Sequence, residues 1–90
     1  MCTNVTRRAA VRGSAKGPNG WFTVDTATVY FDHSFHAPLE HSLNIDFVNE
    51  AAGAPTRVAL ELSAESAREL VRQVTAALGD GERSAVGPPT

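Results

Sequence analysis

Three histidines, His33, His36 and His41, fall within one short stretch, flanked by the carboxylates of Asp32 and Glu40. Neutral imidazoles grouped in this way suit a divalent metal, and three of them leave a fourth position open to water or a substrate. Zinc is the first choice on imidazole ligands, with iron, copper or nickel as other occupants. Asp32, Glu40 or Glu65 can complete the shell or fix a ring tautomer. His-x2-His-x4-His has no fixed mechanism attached to its spacing, unlike His-Glu-x-x-His. The same residues therefore also fit a metal-free pocket in which a histidine moves protons and Asp32 or Glu40 orients its ring. Cys2 is the remaining chemical candidate. A histidine or a helix N-terminus close to it would activate the thiol as nucleophile or ligand, and otherwise it is a small, semi-buried residue.

The elements around these residues decide where they point. Alternation marks β segments at about 21–31, with an irregularity near Asp25-Thr26, at about 42–48 and at about 56–62. Val29 and Phe31 share one face, as do Leu43, Ile45 and Phe47, and Val58, Leu60 and Leu62. Tyr30, Asn44, Asp46, Arg57 and Glu61 take the other, wetter face, where Asp46 and Arg57 form an exposed pair worth little. Pairing apolar with apolar sets Phe31 opposite Leu43 and Val29 opposite Ile45, so His33 falls opposite His41 at the rim of the core. Pro38 stiffens the intervening loop, and a tight turn there brings His36 toward the other two. In the next hairpin Ile45 meets Leu60 and Leu43 meets Leu62.

Ala67, Leu70, Val71, Val74 and Leu78 recur at helical spacing behind Ser63 as N-cap, with Gly79 as the expected stop. Glu65 and Glu69 precede Arg68 and Arg72, giving i,i+3 pairs on the solvent face. This helix should cover the dry side of the sheet and bring its N-terminus to the histidine rim, where it keeps imidazoles neutral and favours an anion. Ahead of the sheet, a weak first strand over about 3–12 leads into a turn-rich stretch from Gly13 to Gly20. Trp21 and Phe22 follow it, as core or as the lining of a pocket. The expected fold is thus α+β: an antiparallel meander of about four strands with one C-terminal amphipathic helix packed on one face. It forms one domain over 1–79, followed by a flexible Gly-, Pro- and Ser-rich tail over 80–90.

At 90 residues the chain holds one thin core. A single cysteine offers no disulfide, which leaves a partner subunit or a metal to supplement that core and suits a reducing, cytoplasmic setting. A net charge of −2 argues against nucleic acid as a partner, and no apolar run is long enough for a membrane span.

Several separated motifs agree in order: Met1-Cys2-Thr3 with Val5-Thr6, Gly17-Pro18, Gly20-Trp21-Phe22, Val29-Tyr30-Phe31-Asp32-His33, His36-Ala37-Pro38, Glu40-His41 and Leu43-Asn44-Ile45-Asp46-Phe47. Together they resemble a small family of bacterial proteins of unknown function. The resemblance runs from Met1 to about Leu78, includes Cys2, and implies no activity. Three readings stand at this point. One is a metal-binding protein, a metalloenzyme included, that takes a small anionic or oxygenated molecule. Another is a metal-free acid/base enzyme of isomerase or cyclase type. The third is a non-catalytic dimeric interaction module that uses the Tyr30, Asn44 and Asp46 face or an unpaired sheet edge.

Overall fold

The computed structural model describes residues 5–52 and 57–84. Four strands, β1 (Thr6–Gly17), β2 (Gly20–Asp32), β3 (Ser42–Val48) and β4 (Arg57–Leu62), form one antiparallel sheet in the order β1-β2-β3-β4, and α1 (Ala64–Ser84) follows. This is the expected α+β meander. Both central registers match the sequence argument: Phe31 pairs with Leu43, Val29 with Ile45, Ile45 with Leu60 and Leu43 with Leu62. Burial of one face fixes them, because a slip of one residue would turn every apolar side chain outward.

The first hairpin is longer than its composition implied. The turn-rich stretch is mostly strand, and only Pro18 and Asn19 separate β1 from β2. Gly20 closes the turn at φ 109°, a backbone conformation that side chains with a Cβ avoid. The irregularity lies in β1, between Ala10 and Gly13, opposite the Val24 to Thr26 stretch of β2. An extra residue in one strand sharpens the local twist, and the curled sheet brings Val11 and Val58, from its two edge strands, into one apolar hollow with Val24 and Phe47. Val24 and Ala27 are the buried apolar residues of the described chain.

Ser63 caps α1 as its position predicts, accepting the Ser66 N–H on Oγ at 3.0 Å. The helix does not stop at Gly79. It runs on to Ser84, held in its last turn by an Asp80 to Arg83 ion pair, and among the described residues only Gly20 has positive φ. A glycine ends a helix by turning left-handed, and Gly79 stays helical instead. Residues 80–84 of the expected tail therefore belong to the helix.

The expected layering is altered in two ways. α1 meets only one end of the dry face, where Ala67, Leu70 and Val71 stand over Val29, Leu43, Ile45 and Leu62 around a groove of about 510 Å³. On the face expected to be wetter, Thr26, Ser42 and Asn44 are buried.

Candidate functional site

The hairpin from β2 to β3 places the histidines. One step beyond the Asp32 to Ser42 pair that ends the ladder, His33 and His41 stand opposed, with ring centroids 4.8 Å apart and planes 26° apart. Phe31 stacks on the far side of His41 at 5.8 Å, giving a three-ring column at the edge of the apolar face. His33 Nδ1 donates to the Glu40 carbonyl at 3.1 Å, so the tautomer leaves Nε2 as the acceptor. Asp32 Oδ1 accepts the His33 backbone N–H at 2.6 Å, and Ser34 Oγ donates to the Leu39 carbonyl, tightening the loop. The cross-strand pairing of His33 with His41 is thus as the register requires.

His36 goes elsewhere, which corrects the expected three-histidine cluster. It lines a hollow with Phe35, Ala37, Arg57, Ala59 and Glu61. Arg57, Ala59 and Glu61 alternate with Val58, Leu60 and Leu62 along β4, so this hollow opens on the face opposite Phe31. Among the described residues no three His, Cys, Asp or Glu side chains gather as a metal site. Two stacked imidazoles also send their in-plane lone pairs side by side, not toward a common point. Cys2 lies outside the described residues.

The carboxylate that organises this loop is Glu61. Its Oε2 accepts the Phe35 N–H at 2.5 Å, and its Oε1 accepts those of His36 at 3.0 Å and Ala37 at 2.7 Å. Three successive backbone N–H groups make an anion nest, and the chain supplies its own anion. The Ala37 N–H, then those of Phe35 and His36, hold the Glu61 carboxyl below its usual range. Asp25 plays the same part at the other end of β3, accepting the N–H groups of Glu50 at 2.9 Å and Ala51 at 3.2 Å, and it too is lowered, chiefly by Glu50. Strand alternation assigns Glu61 only a place on the polar face. The signal available was its register position across Asn44 from Tyr30, but alternation does not say over which face a loop folds.

Beside Glu61, Asn44 accepts the Ser42 hydroxyl at 2.5 Å while its Nδ2 is buried without a partner. Asp46 and Arg57 pair at 3.4 Å with the guanidinium half exposed, as the alternation implied. The groove under α1 is lined by apolar side chains with Arg68 and Arg72 at its rim, and no histidine is among its lining residues. The two rings therefore sit at an open edge.

Among known proteins, the sequence profile of a family described as being of unknown function (DUF6295) matches residues 1–86. No curated protein and no solved structure matches the chain.

Proposed function

The chain belongs to this family of unknown function, and we propose, on physical grounds, that it is a small non-catalytic interaction module that works by associating with itself through its open apolar face. The observation that carries the reading is the exposure of the amphipathic helix on its apolar side: Val71 is 64 % exposed, Val74 50 % and Leu78 59 %. Burying a side chain of this kind contributes about 1.5–3 kcal/mol, and a thin single-chain core leaves that stabilisation unused. The face is apolar along its centre, with Arg68 and Arg72 confined to the rim of its groove. Light scattering across a wide concentration range tests the proposal. A mass of two or more chains is expected, and a monomer at every concentration would overturn it.

One observation favours a second reading. The opposed His33 and His41 rings, with the His33 tautomer fixed by Glu40, offer two Nε2 donors to a divalent metal, zinc first, once one ring turns out of the stack. Titration with zinc followed by NMR of the imidazole protons checks it. Shifts at both rings, lost in His33→Ala, are expected, and unshifted rings at excess zinc discard the reading.

A further inference from the structure

Resting on the self-association reading, we infer the form of the dimer: two copies of α1 pack antiparallel about a two-fold axis near Val74, and the distal half of each helix fills the other copy's groove between helix and sheet. A two-fold interface must be complementary to itself. The stripe on α1 meets that demand, since Ala67, Leu70, Val71, Val74, Ala77 and Leu78 read nearly the same from either end about Val74. Reversal sets Leu78 of one copy beside Leu70 of the other, where the groove is lined by Leu70, Val71, Val29, Leu43 and Ile45.

Charge agrees with this direction. Arg68 and Glu82 are two heptads apart and share one flank of the stripe, so antiparallel pairing puts Arg68 of each copy against Glu82 of the other. Parallel pairing would leave Arg68 and Glu82 about 21 Å apart along the helix axis, with no such contact.

The apolar side of α1 has exposed surface to offer: Leu70 is 43 % exposed, and Val71, Val74 and Leu78 are each at least half exposed. Pairing through the β1 edge is disfavoured, because β1 carries Arg7, Arg12 and Lys16 beside the Glu50-paired Arg8, and a second β1 would bring the same charges against them.

Cysteine cross-linking of the full chain in a Cys2→Ser background tests the arrangement. Val74→Cys should form an interchain disulfide under mild oxidation, while Ala76→Cys on the opposite side of the helix and Ala9→Cys on β1 stay reduced. Val74→Asp, with the sheet retained by circular dichroism, should shift the mass to that of one chain. A dimer in which Ala9→Cys cross-links and Val74→Cys does not, or one that Val74→Asp leaves intact, overturns this arrangement and leaves self-association standing. A chain that is monomeric at every concentration overturns both.

Discussion

Glu61 holds the histidine loop through its charge, and this can be tested at the level of one residue. Three N–H groups converge on its carboxylate and lower its pKa from the usual 4.5. A carboxyl depressed in the folded state contributes stability that is fully present above its unfolded value and is lost as pH falls through the folded value. Asp25 acts in the same direction from 3.8. Stability should therefore decline on acidification below about pH 4.5. Glu61→Gln should flatten that decline and speed amide exchange at Phe35, His36 and Ala37, as read by hydrogen exchange at neutral pH. Unchanged exchange at those three amides would show that the loop is held by other contacts.

The helix is the element whose extent most needs a test. Gly79 lies in its interior, and a Cβ added there would meet only the flexible Arg83 guanidinium at 3.4 Å. Alanine is favoured over glycine inside a helix by about 0.8–1.0 kcal/mol, so Gly79→Ala should raise stability to urea by an amount of that order and increase helicity. The expectation reverses if the helix ends at Gly79, because alanine in a left-handed cap costs roughly 1–2 kcal/mol. The sign of one urea midpoint shift thus separates the two helix lengths. At the other terminus, Ser63 and Ser66 satisfy each other, so the first turn of α1 is committed to its own cap.

For the whole molecule, the radius of gyration of 15.2 Å exceeds the roughly 12 Å of a compact chain of this length. A helix that meets the sheet at one end only, together with the long β1–β2 hairpin, contributes to this extended form. If association supplies the missing burial, folding and assembly are linked by mass action. The thermal midpoint should then rise with protein concentration for the native sequence and become independent of it in Val74→Asp, as measured by scanning calorimetry over a hundredfold dilution. A midpoint that does not move with concentration would separate stability from association.

The sequence by itself determined the three later strands and their pairing. Val29, Phe31, Leu43, Ile45, Leu60 and Leu62 alternate strongly enough that only one register buries them together, and that register alone brought His33 to His41. The Ser63 cap was equally legible, because capping is a contact between near neighbours in the chain. The direction in which the loop folds back was not legible. Glu61 lies far from Phe35 along the sequence, and its hold on three backbone N–H groups placed His36 on the face opposite the histidine pair. The reach of α1 was likewise a tertiary matter, since amphipathic spacing says which side of a helix seeks cover but not which surface supplies it.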